Sequence, residues 1–415
     1  MSKLYDLYLQ HPRISTDTRH IEPDSIFFAL RGASFDGNRF VGDALAKGAA
    51  YAVADDASLS GTDPRIVVVD NVLESLQALA QEHRSALGIP ILAISGSNGK
   101  TTTKELINRV LSKRFRTYAT RGNLNNHIGV PLTLLAMDSQ TEFGIVEMGA
   151  SSCGEIALLT SIAQPDFGIL TNVGRAHLEG FGGAEGVRRG KGELYDYLQK
   201  NVGVAFVREE DDTLREMAQE REQLQVEGYS STLAEGIESH LEGDYNRFNI
   251  AAAVAIGHYF CVTDEEIREA ISSYMPDNNR SQRVDTQHNT LIVDCYNANP
   301  SSMRASVENF LKEDLHERQR RVLILGDMLE LGAWSQMEHL NIIRQALTDE
   351  SARVILVGEE FEKAFEVLPT KTENVLRYPS REELIADLKK YPILNSLILI
   401  KGSRGIGLEK VVEEL

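Results

Sequence analysis

The chain has 415 residues, 42% of them hydrophobic and 25% charged, with a formal net charge of −18. This length exceeds one ordinary hydrophobic core, so two or three domains are expected. The negative charge argues against a nucleic-acid partner, since no Lys/Arg cluster offsets it. No apolar run approaches the roughly 18 residues of a membrane span, and the N-terminus does not read as a secretory signal. We therefore expect a cytoplasmic protein without a membrane span, a location that suits the three widely spaced cysteines. As a separate expectation, we take the protein to be a monomer.

The first predicted domain covers residues 1–84. Short β-type runs at residues 25–30 and 49–53 alternate with helical stretches such as residues 72–83. This mixture predicts a small α/β unit.

The pattern changes in the second predicted domain, residues 85–279. Apolar runs at residues 90–94, 143–147 and 167–171 end in glycine-rich or polar loops. Runs of this kind, separated by helical segments, are typical of buried strands in a mostly parallel, doubly wound sheet.

A glycine turn follows the first of these runs. Residues 95–103 (SGSNGKTTT) come directly after the strand and precede apolar residues at helical spacing. In such a loop the backbone amides and the helix N-terminus face phosphate oxygens, Lys100 adds a positive charge, and Thr101 offers a hydroxyl to Mg²⁺. The loop is shorter than the usual phosphate loop, because Ile94 stands where the first glycine belongs. A glycine turn with a solvated lysine is the plain alternative.

A carboxylate, Glu147, closes the next strand run. Ligands of doubly wound sheets gather at the C-terminal ends of the strands, so Glu147 is a candidate Mg²⁺ ligand near the same phosphates. A helix cap and a salt-bridge partner remain open as alternatives.

The third predicted domain begins after a turn-rich stretch at residues 276–280. Apolar runs at residues 291–294, 321–325, 354–357 and 396–400 then alternate with helical patterns. Residues 280–415 are therefore predicted to form a Rossmann-like α/β domain.

Motifs along nearly the whole chain resemble those of the Mur ligase superfamily. The phosphate loop fits any member, whereas three other motifs resemble in particular the members that add D-alanyl-D-alanine; these three are GNLNNHIGVPLT at 122–133, DCYNAN at 294–299 and GDMLELG at 326–332. The remaining motifs are STDTR at 15–19, FFALRGASFDG at 27–37, GSNGKTTTKE at 96–105, EMGA at 147–150, AHLEGFG at 176–182, KGE at 191–193 and KGSR at 401–404.

The resemblance implies a three-domain ligase. Its N-terminal domain would bind a uridine nucleotide, its central domain ATP, and its C-terminal domain the acceptor. The implied reaction is the ATP-driven addition of D-alanyl-D-alanine to UDP-N-acetylmuramoyl-tripeptide, with one or two Mg²⁺ ions, through an acyl phosphate. Fixed cations are needed because charge builds on oxygens in both steps.

The resemblance also assigns residues to ATP and metal. Lys100, His177 and Lys191 are the catalytic candidates; Thr101 and Glu147 would serve one Mg²⁺, and His177 and Lys191 a second. A lysine ammonium cannot ligate a metal, so Lys191 is expected to be carbamylated. The residues assigned to ATP are Gly96, Ser97, Asn98, Gly99, Lys100, Thr101, Thr102, Asn246, Asn249, Arg280 (or Arg283 in its place) and Asp294.

The organic substrates receive the remaining assignments. Asp327 and His339 are expected on the acceptor side. The residues assigned to the UDP substrate are Asp17, Thr18, Arg19, Asp36, Gly37, Asn123, Asn125 and Asn126.

Structural alternatives stay open for many of these residues. His177 is alternatively a polar loop residue, Asp294 a strand-end helix cap, and Asn246 with Asn249 a capped helix start. The asparagine run fits a simple turn, and Asp327 with His339 a solvated surface.

The chain departs from the family pattern at two places, GASSCGEI at 149–156 and GDYN at 243–246. Rival interpretations are another amide ligase of the superfamily, either the third-residue-adding ligase or a folylpolyglutamate synthetase, a regulatory P-loop protein, and a degenerate ligase.

Overall fold

A computed structural model of the chain describes residues 2–241, 243, 245–276, 282–315, 319–368 and 374–415. The first sheet is parallel, with strand order β1-β2-β5-β6, and a two-stranded hairpin, β3-β4, lies apart from it. The strands of this N-terminal unit, sheet and hairpin together, are β1 (Ile14–Ser15), β2 (Ile26–Phe28), β3 (Arg31–Gly32), β4 (Phe35–Asp36), β5 (Tyr51–Ala54) and β6 (Ile66–Val68). Its helices are α1 (Lys3–Gln10), α2 (Val41–Ala46) and α3 (Val72–Leu87).

Helix α3 connects this first unit to the rest of the chain. Asn71 caps its first turn by accepting from the amides of Leu73 and Glu74, and Gly88 ends it with φ of 61°. His83 on α3 contacts the carbonyl oxygen of Met137 at 2.9 Å, so the N-terminal unit is fixed to the central one by buried polar contacts.

The central sheet contains six parallel strands in the order β12-β11-β10-β7-β9-β8. Strands β7 and β9 are buried along their whole length, which explains their unbroken apolar sequences. The strands are β7 (Ile91–Ser95), β8 (Thr117–Ala119), β9 (Phe143–Glu147), β10 (Phe167–Leu170), β11 (Val204–Arg208) and β12 (Gln225–Tyr229). The helices are α4 (Lys100–Leu111), α5 (Gly129–Leu135), α6 (Glu155–Ala163), α7 (Leu178–Phe181), α8 (Ala184–Lys200), α9 (Asp212–Gln219), α10 (Asn246–Tyr259) and α11 (Asp264–Ser272).

The third sheet has the order β13-β14-β18-β15-β16-β17, in which β13 alone is antiparallel to its neighbour. The strands are β13 (Gln282–Asp285), β14 (Thr290–Asp294), β15 (Arg320–Gly326), β16 (Arg353–Val357), β17 (Val375–Tyr378) and β18 (Ser396–Lys401). The helices are α12 (Pro300–Lys312), α13 (Ser335–Ala346), α14 (Glu359–Glu366) and α15 (Arg381–Leu388).

The predicted fold class is confirmed, since three α/β units follow one another with a mostly parallel sheet in the centre and a Rossmann-like unit at the end. The boundaries at residues 84/85 and 279/280 stay predictions. Within the described ranges, no helix has the length and apolar character that crossing a membrane requires.

Candidate functional site

A cavity of about 750 Å³ lies between the central and C-terminal units. The loops after β7, β9 and β10 form one wall, and the loops after β14, β15 and β18 form the other. Both walls are therefore built at the C-terminal ends of parallel strands, where open α/β sheets bind their ligands.

The phosphate loop connects β7 to α4 and needs glycine at two positions. Gly96 has φ of 135°, and a Cβ there would lie 2.1 Å from the Thr171 hydroxyl; Gly99 has φ of 78°, and a Cβ there would lie 2.6 Å from Asn249 Oδ1. Any larger residue would meet both a strained backbone and a steric clash. The loop geometry thus explains the spacing of the two glycines.

Side chains behind the loop hold its shape. Asn172 donates to the carbonyl oxygen of Asn98 at 3.0 Å and accepts from its amide at 3.1 Å, while Thr171 donates to the same carbonyl at 2.6 Å. Lys100 donates to the carbonyl of Gly96 at 2.8 Å. No side chain caps the start of α4, so its first amides are available to phosphate oxygens.

Glu147 has the surroundings of a cation ligand. It is 2% exposed, and its Oε1 accepts from Asn125 at 2.8 Å, whereas its Oε2 has no hydrogen-bond partner in the described structure. A buried carboxylate oxygen without a partner is unfavourable unless a cation or donor reaches it. Together with the hydroxyl of Thr101 in the same cavity, Glu147 fits Mg²⁺. Its alternatives as a helix cap or salt-bridge partner find no support among the described contacts.

His177 lies on the cavity wall just before α7, with φ of 52°. Its Nδ1 pairs with the carboxylate of Glu330 from the C-terminal unit. The polar-loop interpretation thus describes its backbone, while its side chain connects two domains. In the described ranges, no three or more His, Cys, Asp or Glu side chains cluster as a complete metal site.

Lys191 lies behind the cavity on α8. It is 1% exposed, its Nζ donates to the carbonyl of Ala150 at 3.3 Å, and it lies 5.4 Å from the ring centre of Phe181. Burial, together with the nearby charge of Lys100, lowers the pKa of the Lys191 ammonium to about 7. An ordinary solvated lysine is therefore excluded by the structure.

Asn246 and Asn249 lie at the start of α10 and line the cavity. Asn249 donates to Asn246 Oδ1 at 2.7 Å and accepts from Thr103 at 3.0 Å, which ties α10 to the helix of the phosphate loop. Of the two arginines considered for ATP, Arg280 lies outside the described residues. Arg283 does not line the cavity and forms an ion pair of 3.7 Å with Glu313.

Asp294, at the end of β14, is on the opposite wall. Its Oδ2 accepts from Lys401 at 2.5 Å and from Ser306 at 2.8 Å. The interpretation of Asp294 as a helix cap is wrong, because Asn299 caps α12 instead.

The three asparagines assigned to the UDP substrate all line the cavity. Asn126 accepts from the amides of Ile128 and Gly129 at 3.1 and 2.9 Å, so the turn interpretation is correct for this residue. Asn125 is held by Glu147, and Asn123 is exposed.

The other residues assigned to the UDP substrate lie in the N-terminal unit and do not line the cavity. Asp17 pairs with Arg19 at 2.6 Å, Asp36 accepts from the amide of Asn38 at 3.0 Å, and the amide of Gly37 donates to the carbonyl of Leu30 at 2.9 Å. Thr18 begins a short 3₁₀ helix after Asp17. A role of these five residues in nucleotide binding stays a prediction.

Asp327 and His339 do not line the cavity, and the solvated-surface alternative is wrong for both, because they are 4% and 0% exposed. Asp327 accepts from the amides of Glu360 and Phe361 at 3.0 and 2.8 Å, at the start of α14. His339 Nε2 accepts from the amide of Met328 at 2.9 Å, and its Nδ1 lies 2.8 Å from the carbonyl of Ser335. These contacts require neutral imidazole, consistent with a His339 pKa that burial lowers. The pair thus supports the loop after β15, whose Leu329 and Glu330 do reach the cavity.

Sequence reasoning missed the contacts that join the two walls. Asn299 donates to Asn98 Oδ1 at 2.7 Å, Ser301 accepts from the amide of Arg175 at 2.7 Å, and the Arg175 guanidinium pairs with buried Glu338 at 2.6 Å. The only sequence signal for these residues was their position just after a strand end or near a helix start. Tyr296 and Arg404, also on the C-terminal wall, lie within motifs noted in the sequence but had no assigned role.

The departure at residues 149–156 preserves a helix start. Ser151 and Ser152 both donate to the carboxylate of Glu155, at 2.8 Å from the Ser151 amide and 2.9 Å from the Ser152 hydroxyl. Glu193 accepts from the amides of Gly154 and Ala157 at 2.6 and 2.9 Å, which fixes α8 against α6. The residues present at this departure therefore hold α6 against α8, the helix that carries Lys191. At the second departure, Tyr245 lines the cavity.

A phosphate loop, a buried carboxylate beside it and a cavity against a facing α/β unit are the features of a P-loop nucleotide-binding enzyme. Three segments of the chain match known protein-family domains. Residues 12–92 match the Mur ligase family catalytic domain, residues 94–235 the Mur ligase middle domain, and residues 279–404 the Mur ligase glutamate ligase domain. The chain belongs to the Mur ligase family.

Comparison with individual proteins shows which members of the family the chain is similar to. The chain is 33% identical to the UDP-N-acetylmuramoyl-tripeptide–D-alanyl-D-alanine ligase of Bacillus subtilis, over 97% of this chain and 92% of the relative. It is 31% identical to the Escherichia coli ligase of the same name, over 97% and 93%. Among solved structures, MurF from Acinetobacter baumannii superposes with a TM-score of 0.86 at 30% identity, over 97% and 93%. The ADP complex of MurF ligase from Thermotoga maritima gives 0.83 at 25%, over 100% and 98%.

Proposed function

We propose that this chain is an ATP-dependent amide ligase that joins D-alanyl-D-alanine to UDP-N-acetylmuramoyl-tripeptide, giving the pentapeptide, ADP and phosphate. The observation that carries the proposal is the similarity over nearly the whole chain to ligases of that name, one of them at 33% identity over 97% of the chain. The cavity supports it, because the wall that carries the phosphate loop faces a wall from the C-terminal unit there. We place the reaction in the cytoplasm.

The proposed reaction has two steps. First, an oxygen of the tripeptide's terminal carboxylate bonds to the γ-phosphorus of ATP, and the bond from this phosphorus to the β-phosphate oxygen breaks, which releases ADP. The dipeptide amine then attacks the acyl carbon, the phosphate leaves, and the amine loses a proton. Lys100 and the N-terminus of α4 would stabilise the charge that spreads over the phosphoryl oxygens in the first step.

Thr101 and Glu147 would hold one Mg²⁺ beside the phosphates, since the unpartnered Glu147 Oε2 is buried in that wall. When bound, the ion supplies positive charge against the phosphate oxygens. His177 would bind a second ion while its Nδ1 stays paired with the carboxylate of Glu330.

We further propose that Lys191 is carbamylated. Its burial favours a neutral amine, and a neutral amine bonds to the carbon of CO₂ with loss of a proton. The resulting carbamate would place anionic oxygens close to Ala150, behind the metal-binding wall.

The test is ADP release by the full chain with Mg²⁺, across a panel of UDP-muramoyl peptides and amine acceptors. We expect turnover that requires both UDP-N-acetylmuramoyl-tripeptide and D-alanyl-D-alanine. Turnover with diaminopimelate, lysine or glutamate in place of the dipeptide would assign the chain to another ligase of the family. ATP hydrolysis that is indifferent to both organic substrates would refute ligase activity.

A further inference from the structure

The C-terminal wall of the cavity carries an arginine that the proposed reaction has not yet used. Arg404 follows β18 and lies on the cavity wall, and its side chain is exposed. Its guanidinium carbon lies 5.5 Å from the ring centre of Tyr296, which lines the same wall. Within the described parts of the chain, Arg404 takes part in no ion pair. A cation resting on an aromatic ring in a ligand cavity is positioned to receive an anion.

The other cationic side chains of the described cavity wall already have partners or a different task. Lys401 pairs with Asp294 at 2.5 Å, and Arg208 pairs with Asp211 at 2.5 Å. Lys100 belongs to the phosphate loop on the opposite wall. Arg404 is therefore the strong cation left for an anionic group that binds against the C-terminal unit.

The loop that carries Arg404 is rigidly held. The amide of Ser403 donates to the carbonyl of Asp327 at 3.0 Å, and the Ser403 hydroxyl accepts from the amide of Leu329 at 2.9 Å and donates to Ala298 at 3.2 Å. Three strand-end loops are joined at this one residue, which is 3% exposed. Rigid support of this kind lowers the entropy lost when a ligand is bound.

We infer that Arg404 binds the C-terminal carboxylate of the acceptor dipeptide, and so selects an acceptor with a free carboxylate. This inference rests on the proposed function. The dipeptide amine must reach the acyl phosphate at the phosphate-loop wall, while its carboxylate lies about 7 Å away along an extended chain. That places the carboxylate toward the C-terminal wall, where planar guanidinium groups bind carboxylates through two parallel hydrogen bonds.

The experiment compares D-alanyl-D-alanine with D-alanyl-D-alaninamide, which lacks the negative charge, at saturating ATP and UDP-tripeptide. For the unaltered enzyme we expect kcat/KM to be about 10- to 100-fold lower with the amide. In Arg404→Gln, KM for the dipeptide should rise by a similar factor, and the preference for the carboxylate should shrink to about threefold or less. Arg404→Lys should restore part of the preference.

Arg344→Gln is the matched control, since Arg344 is an exposed arginine of α13 outside the cavity; its preference should equal that of the unaltered enzyme. An unchanged preference in Arg404→Gln, or a raised KM for ATP or UDP-tripeptide instead, would overturn the inference while the proposed function stands. No dipeptide-dependent ADP release by the unaltered enzyme would overturn both.

Discussion

The two walls of the cavity hold their ligand groups in different ways. On the central wall, backbone forms the binding surface: glycines at positions 96 and 99 let the loop approach Thr171 and Asn249 closely, and α4 begins without a side-chain cap. On the C-terminal wall, side chains form the surface, and buried polar groups such as Asp327 fix their loops from behind. On the central wall, mainly substitutions of charged residues or of glycines should lower activity. On the C-terminal wall, substitutions of residues outside the cavity should lower activity as well.

The largest effect is expected at Lys100 on the central wall. Lys100→Ala removes a charge aimed at oxygens that become more negative during phosphoryl transfer, so kcat should fall about 100- to 1,000-fold. The fold should persist, because the loop is held by Asn172 and Thr171. Steady-state ADP release and circular dichroism measure the two outcomes. Lys390→Ala, at an exposed lysine outside the cavity, is the control. Near-normal turnover by a folded Lys100→Ala protein would remove the phosphate-loop assignment.

Lys191 tests whether the central wall also depends on a buried side chain. Lys191→Ala should lower kcat about 10- to 100-fold, as loss of groups behind a metal ligand commonly does. Acetate should restore part of the activity to Lys191→Ala, and less to Lys191→Met, whose side chain fills the space.

Since the Lys191 pKa is lowered to about 7, the neutral amine that reacts with CO₂ becomes the main form as pH rises through that value. Activity of the unaltered enzyme in CO₂-depleted buffer should then recover with bicarbonate above pH 7. Full activity of Lys191→Ala would contradict the carbamate.

The ion pair between Arg175 and Glu338 tests the coupling between the walls. Glu338→Gln leaves the shape but removes the charge, so the two units should close less completely and kcat should fall about tenfold. Small-angle scattering with an ATP analogue and UDP-tripeptide should show a larger radius of gyration than for the unaltered enzyme. Glu350→Gln changes an exposed glutamate of the same unit and should behave normally. Equal compaction of Glu338→Gln would show that this contact does not hold the walls together.

The smallest effect is expected from His339, which supports the C-terminal wall from behind. Its pKa is lowered by burial, so below about pH 6.5 the unfolded chain binds a proton that the folded chain does not, and stability falls as pH decreases. His339→Gln should weaken that decrease, by at most about 1.4 kcal/mol per pH unit, which is the limit for a single proton. Urea unfolding at several pH values measures this difference, with His288→Gln, at an exposed histidine, as control. An identical pH slope in His339→Gln would mean that folding does not lower the pKa of His339.

The central wall was more predictable from sequence than the C-terminal wall, for a physical reason. Glycine spacing, apolar strand runs and a strand-end carboxylate are local signals, and they located the phosphate loop and Glu147 correctly in one cavity. Whether a polar residue after a strand faces the cavity or the core depends on packing that local sequence does not record. For that reason the burial of Asp327, after β15, could not be predicted from local sequence, and the same holds for His339 on α13.

Contacts between domains were also beyond the sequence. The pairs Arg175–Glu338 and His177–Glu330 join residues more than 150 positions apart, and no periodicity signals such pairings. The metal-site role of Lys191 was expected only through the family resemblance, and its burial was not predicted, because its helix contains three glycines and a mostly polar sequence.

The central claim is that the cavity couples ATP cleavage to amide formation through phosphorylation of a carboxylate. The direct measurement uses UDP-tripeptide whose terminal carboxylate carries heavy oxygen at both positions, with unlabelled ATP and D-alanyl-D-alanine, followed by mass spectrometry of the products. If the carboxylate is phosphorylated, the released phosphate carries one heavy oxygen and the new amide retains the other. Unlabelled phosphate alongside pentapeptide formation would contradict it.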